Sequence, residues 1–266
     1  MSLVYQATAV SFSRELFAVD FATIPPAPTS LNVHPTLMPG RNIFGWRWSP
    51  TGDSLLINAN LNSQSQNELF HIDASSGFST PRRLNGPLAP GSEVAFGLST
   101  LDWSADGRRV AYVVSSFSQP PSAYVVDLAG SGVGVPVSLL PTPGPSSLGL
   151  FFSPDSTKLV TVGAFRSVGD HELFLSDVST GAPTTFERVN PNLVFNGDIS
   201  HNLGAVIWRS DSTGVFYLAD QAVDSVQEAW SVSFIGSATP SIGTSTRMHA
   251  PLARPRRVER VLVQTE

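Results

Sequence analysis

WSPTGDSLLI at Trp48–Ile57 joins an aromatic residue to a run of strand formers through a tight polar turn. The turn has Ser at its first position, Pro preset for the second and Gly at the fourth, the pattern of a type I turn. Nearly the same stretch returns as WSADGRRVAY at Trp103–Tyr112, FSPDSTKLVT at Phe152–Thr161 and WRSDSTGVFY at Trp208–Tyr217. The aromatic residues Trp48, Trp103, Phe152 and Trp208 are 55, 49 and 56 residues apart. A second anchor follows each at 20, 19, 20 and 20 residues: ELFHID from Glu68, SAYVVD from Ser122, ELFLSD from Glu172 and EAWSVS from Glu228. Constant spacing between diverged copies marks one supersecondary unit repeated.

Each unit reads as four short strands. In the copy around Trp48 these are FGWRW, SLLINAN, ELFHID and TPRRL, with ELFHID alternating apolar and polar as a half-buried strand does. Four antiparallel strands about every 50 residues, with no helical periodicity, predict an all-β chain folded as a β-propeller. A β-sandwich has no reason to repeat at that interval. The repeated aromatic residues are expected to fill space between blades. Asp73, Asp127 and Asp177, just before turns, are expected to cap them through the backbone.

The opening segment carries half a unit. RELFAVD at Arg14–Asp20 matches the second anchor and SLVYQAT at Ser2–Thr8 matches SLLINAN, so a first strand is missing there. RMHAPLA at Arg247–Ala253 matches RLNGPLA at Arg83–Ala89, and VERVLVQ at Val258–Gln264 follows it. The expected architecture is a single domain over 1–266 with five blades. Blade one covers about 1–33 plus 258–264, and the others about 43–86, 98–140, 148–190 and 204–252. Pairing of the C-terminal strand with the first blade would close the ring and remove open edges, and a closed ring implies a monomer. The rival is an open segment of a larger propeller.

The motifs WSPTG, WSADG and FSPDS, each followed by an ELF.ID-like strand, resemble the TolB-type propeller repeat, also called PD40 or WD40-like. The resemblance covers most of the chain; Arg209 departs from it, standing where the family has Ser. It implies a periplasmic or extracellular bacterial protein that binds partners, although the family also includes the propellers of prolyl-oligopeptidase-like peptidases.

Composition narrows the chemistry. The net charge is −5 and only 14% of residues are charged, which argues against nucleic-acid binding through a basic face. The only dense basic run is Arg254, Arg256 and Arg257. There is no cysteine, so disulfides, thiol nucleophiles and thiolate metal sites are excluded. No apolar run approaches the roughly 20 residues of a membrane-spanning helix. The sequence has no G-x-S-x-G element, no metal-binding spacing among His34, His71, His171, His201 and His249, and no phosphate-binding loop. NGD at Asn196–Asp198 reads as a loop turn and GSGVG at Gly130–Gly134 as a linker. No cofactor, metal or catalytic residue is expected.

A propeller glycosidase needs carboxylates converging from the innermost strands. Asp102 is the only one in the four full copies, with Glu259 a further one in the terminal piece, and Asp102 is expected to make a turn or inter-blade hydrogen bond. The alternative to catalysis is a rigid platform of loops. The connections between second and third strands are long and polar, and the expected role is a protein or glycan contact surface on one loop face. Phe117, Phe165 and Arg166 are its expected anchors, since aromatic residues and arginine dominate such contacts.

Overall fold

The computed structural model describes residues 2–8, 14–20, 27–30, 40–74, 78, 81–97, 99–117, 119–129, 137–138, 148–165, 170–181, 183–202, 204–234, 245–250 and 258. Every strand follows the repeat. The first sheet holds β1 (Ser2–Thr8), β2 (Arg14–Asp20) and β3 (Ala27–Ser30), and the second holds β4 (Ile43–Trp48), β5 (Ser54–Ala59), β6 (Glu68–Asp73) and β7 (Arg82–Arg83). A short strand, β8 (Ser92–Ala95), follows the second sheet. The third sheet contains β9 (Leu101–Trp103), β10 (Arg109–Ser116), β11 (Ser122–Asp127) and β12 (Val137–Ser138). The fourth holds β13 (Leu148–Phe152), β14 (Lys158–Gly163), β15 (Glu172–Asp177) and β16 (Glu187–Arg188), and the fifth β17 (Val206–Trp208), β18 (Gly214–Ala219), β19 (Glu228–Ser233) and β20 (Ser245–Arg247). Within each sheet, consecutive strands pair antiparallel.

The chain divides into two compact units, one built on residues 1–96 and the other on 97–129 with 137–266. In the first unit, Val4, Leu16 and Ala18 of the first sheet pack with Ile43, Leu55, Ile57, Phe70 and Ile72 of the second. In the second unit, Val160, Val162, Leu173 and Leu175 of the fourth sheet pack with Val206, Val215, Tyr217, Trp230 and Val232 of the fifth. Such face-to-face stacking buries β15 on both of its faces, Leu173 and Leu175 on one and Phe174 and Ser176 on the other. β6 and β15 are therefore more deeply buried than the half-buried alternation expected, whereas β11 and β19 largely keep that alternation.

The repeated aromatic residues behave as expected. Trp103 and Phe152 are buried, and the Trp208 indole N–H donates to the Phe151 carbonyl of the preceding sheet at 2.9 Å. Asp102 accepts the Phe152 N–H at 2.8 Å and the Trp103 N–H at 3.0 Å, so it joins the third sheet to the fourth. Asp127 accepts from the Ala129 N–H and Asp177 from the Ser179 N–H and hydroxyl, each closing its turn.

The first-to-second-strand turns carry a device that the repeat hides. Gly52, Gly107, Ser156 and Ser212 occupy one equivalent position, with φ of 75°, 70°, 63° and 57°. Left-handed backbone suits glycine and costs a serine. The two serines gain contacts to the preceding turn: Ser156 Oγ accepts the Asp106 N–H and Ser212 Oγ accepts the Asp155 N–H, both at 3.0 Å. Burial raises the Asp155 carboxyl, but hydrogen bonds from Ser153, the Thr157 N–H and the Thr157 hydroxyl, with the Lys158 charge, outweigh it and bring it down to about 2.

Of the C-terminal segment only Val258 is among the described residues, as are none of Gly130–Gly134, Arg166, Arg254, Arg256 and Arg257. The expected pairing of Val258–Gln264 with the first blade lies outside the described residues.

Candidate functional site

Antiparallel order sends the connections between second and third strands, and the linkers leaving each fourth strand, to one end of a sheet. The tight hairpins lie at the other end. The two ends of the second unit differ in chemistry: the hairpin end consists of Ser–Asp turns bonded to one another around the buried Arg109, and the loop end carries buried glutamates and exposed apolar side chains.

The loop end is organised by a charge pair that recurs. Glu68, Glu172 and Glu228 begin their third strands and are buried. Each meets an arginine of the neighbouring fourth strand: Arg83 Nη1 lies 2.9 Å from Glu68, Arg188 Nη1 2.7 Å from Glu172 and Arg247 Nε 3.2 Å from Glu228. Strand register brings them together, since each arginine lies opposite the aromatic residue two places after its glutamate: Phe70, Phe174 and Trp230. Arg247 also sits over the Trp230 ring, 5.0 Å from its centroid. In the third sheet both partners are replaced together, with Ser122 in place of the glutamate and Ser138 opposite Tyr124. The first sheet has Ser30 opposite Phe17, and its Glu15 is only half-buried. At this position of the described sheets a buried glutamate occurs where an arginine faces it.

Two residues after each of these arginines a side chain caps the third strand. Asn85 accepts the Leu69 N–H, Asn190 accepts the Leu173 N–H, and His249 Nε2 accepts the Ala229 N–H. Nine residues further on, the linker returns to the sheet it left. Val94 donates to Asn67, Ile199 to His171 and Val258 to Gln227, the accepting carbonyl always preceding the buried glutamate.

The densest titratable group at this end lies where residues 190–204 pass from the fourth sheet to the fifth. His171, just before β15, is buried; its backbone N–H lies 2.6 Å from Asp198 Oδ1 and its Nδ1 2.8 Å from the same oxygen. Asp198 donates its own N–H to Asp220 at the end of β18, and Asp220 Oδ2 accepts from the Ser225 N–H. The His201 ring stacks on His171 with centroids 4.8 Å apart and planes 27° from parallel. Burial, followed by the adjacent His171 charge, holds the His201 imidazole below its ordinary value, with Asp198 pulling the other way. NGD at 196–198 is the turn expected, with Asn196 at φ 57° and the Gly197 N–H bonded to the Val194 carbonyl. Among the described residues no three His, Asp or Glu side chains form a metal-holding group.

Apolar side chains stand out at the same end. Phe117, in the connection after β10, is 102% exposed, and Phe195, in the linker after β16, is 89% exposed. Val223 and Met248 are also exposed there. Of the expected anchors, Phe117 is placed in solvent. Phe165 instead packs edge-on against Phe174 and Phe186, with centroids 4.6 and 4.9 Å away. Arg166 lies outside the described residues. Phe195, Asp198 and His201 went unread because the linker carries no repeated motif; its only cue was the fixed distance from Arg188 to Ile199.

No described helix is long and apolar enough to cross a membrane. The sequence matches no family model, and no curated protein matches it either. Similarity appears in solved structures. The chain resembles an oligogalacturonate lyase in complex with manganese at 15% identity and TM-score 0.54, over 87% of this chain and 59% of the lyase. It resembles a structure from a study of two prolyl endopeptidases at 14% identity and TM-score 0.58, over 93% of this chain and 34% of the other. With TolB from Acinetobacter baumannii the figures are 14% identity and TM-score 0.48, over 93% of this chain and 52% of TolB. This chain thus spans less than two thirds of each of these proteins. At such identities the likeness bears on fold alone, and with the recurring turn-and-strand unit it gives this chain a propeller-type all-β fold.

Proposed function

We propose that the chain is a non-catalytic binding module that holds a protein partner on its loop end, with Phe117 as the leading anchor. The observation that carries this reading is the full exposure of Phe117 and the near-full exposure of Phe195 at the same end of one compact unit. A phenylalanine held in water forgoes a burial gain of about 2–3 kcal/mol, and exposed aromatic residues are favoured contacts at interfaces. Phe165, packed against Phe174 and Phe186, braces the start of the neighbouring connection, and Arg166, outside the described residues, is proposed as a further contact. A glycan partner would stack on the same aromatic faces. Asp102, with both oxygens accepting backbone N–H groups, favours this reading over a glycosidase-like or other propeller-enzyme role. The propeller of a larger peptidase-like protein would use this same loop end against a neighbouring domain.

The test is capture by the purified chain on a resin, compared with Phe117→Ala, Phe195→Ala and the double variant. A partner retained by the parent and lost by the double variant at unchanged melting temperature supports the proposal. Equal capture by all four, or hydrolysis or elimination of a glycoside that stops in Asp102→Asn, overturns it. We also propose five blades, with Val258–Gln264 completing the first. Val258 supports this by its equivalence to Ile199, which bridges to Ala219 of the following second strand. By family resemblance, the setting is periplasmic or extracellular.

A further inference from the structure

We propose that the stacked His171–His201 pair is an acid-sensitive latch, in which a proton on each ring loosens residues 190–204 from the loop end and weakens its hold on a partner. The second half of this statement rests on the binding role proposed above; the first half does not.

The geometry accommodates one proton and resists two. His171 Nδ1 sits on Asp198 Oδ1, so a charged His171 has a carboxylate against it. His201 stacks on that ring at 4.8 Å, and a second imidazolium there faces the first across one layer of contact. The surrounding charges are already engaged. On β15 and β16, Glu172 is paired with Arg188; on β18, Asp220 accepts the N–H groups of Asp198 and Ser225. Asp170 precedes His171 in the chain. β13 and β17, LGLFF and VIW, contribute no titratable side chain. Asp198, half exposed, is the carboxylate that acts on His201, and it already accepts from His171.

The backbone around the rings is closely held: the His171 N–H donates to the Asp198 carboxylate, the Ile199 N–H donates to the His171 carbonyl, and a Cβ on Gly149 of β13 would lie 3.2 Å from the His201 carbonyl. Relief comes from movement of the linker itself. The linker is held by the Ile199 N–H on His171 and the Ser200 N–H on Leu218, and its turn carries Phe195.

The pH dependence has a definite sign. His201 titrates below its ordinary value of 6.5 when latched, so the open state takes the proton more readily. The latch is fully closed above that value and weakens as pH falls through and below it.

Hydrogen exchange of the intact chain provides the test, at about pH 7.5 and about pH 5, corrected for intrinsic exchange rates. The amides of Asp198, Ile199 and Ser200 should lose several-fold in protection at the lower pH, as the His201 imidazole takes up its proton. In His201→Gln the loss should vanish while the amides of β14 and β15 keep their protection. A His171→Gln variant should reduce the pH dependence without abolishing it, because it removes the ring on which His201 stacks and leaves the burial of His201 in place. Unchanged protection in the parent, or the same acid loss in His201→Gln, overturns the latch. Partner capture is not the readout, so the latch stands or falls separately from Phe117.

Discussion

Replacing Glu172 by serine tests the recurring ion pair. Its carboxylate lies 2.7 Å from Arg188 Nη1, and the two side chains are 8% and 14% exposed. Removing one partner of a buried pair costs about 3–5 kcal/mol, because the other is left charged and desolvated. Arg188 keeps a hydrogen bond to Asn192 at 2.9 Å, which places Glu172→Ser at the lower end, about 3 kcal/mol. Arg188→Ser strands a buried carboxylate and should cost a similar amount. The double substitution reproduces the Ser122/Ser138 combination that the third sheet tolerates. It should cost about 3 kcal/mol in total, mainly for lost side-chain volume, so the two changes are non-additive by about 3 kcal/mol. In urea, followed by tryptophan fluorescence, each variant should show a midpoint lower by about 1 M, given a slope near 3 kcal/mol per M for a chain of this size. A double variant shifted by the sum of the singles would refute compensation as the reason the pair is gained and lost together.

Two further outcomes follow from the turns and the C-terminal segment. Ser156→Ala should lower the denaturation midpoint more than Ser156→Gly, since both leave the Asp106 N–H without its acceptor but only glycine removes about 1 kcal/mol of left-handed strain; the reverse order would show that this strain does not separate the two. Deleting residues 258–266 should lower the melting temperature by several degrees and promote association through exposed strand edges if that segment completes the first blade, and unchanged melting with monomeric behaviour on gel filtration would exclude it.

The repeat was readable because two of its features are set by local chemistry. A polar turn must follow Trp48, Trp103, Phe152 and Trp208 at once, and a strand-long apolar pattern must follow at a constant distance. The Glu–Arg pairs were not readable, because fourth strands begin at variable distances and only register reveals that Arg188 lies opposite Phe174. Ser156 and Ser212 stand where two other turns have glycine, and their hydroxyl contacts to the preceding turn cross some 50 residues of sequence. Phe165 read as an anchor because it is an aromatic in a long connection, and the Phe174–Phe186 stack that receives it depends on the pairing of two strands. His171 was visible only as a histidine beside a third strand, since its partners Asp198 and His201 belong to a linker with no motif.

The linker's return to the sheet it leaves has a consequence for how such a chain can grow. From Arg83 to Val94, Arg188 to Ile199 and Arg247 to Val258 the count is the same, because the chain is stitched at both ends of that interval and an added residue would break one stitch. The hairpins between third and fourth strands differ in length from sheet to sheet: β6 ends at Asp73 and β7 starts at Arg82, whereas β19 ends at Ser233 and β20 starts at Ser245. New sequence, whether acquired in evolution or grafted by design, is accommodated at those hairpins. In the second unit, a tag inserted between β19 and β20 would leave its sheet at the end opposite the loop surface.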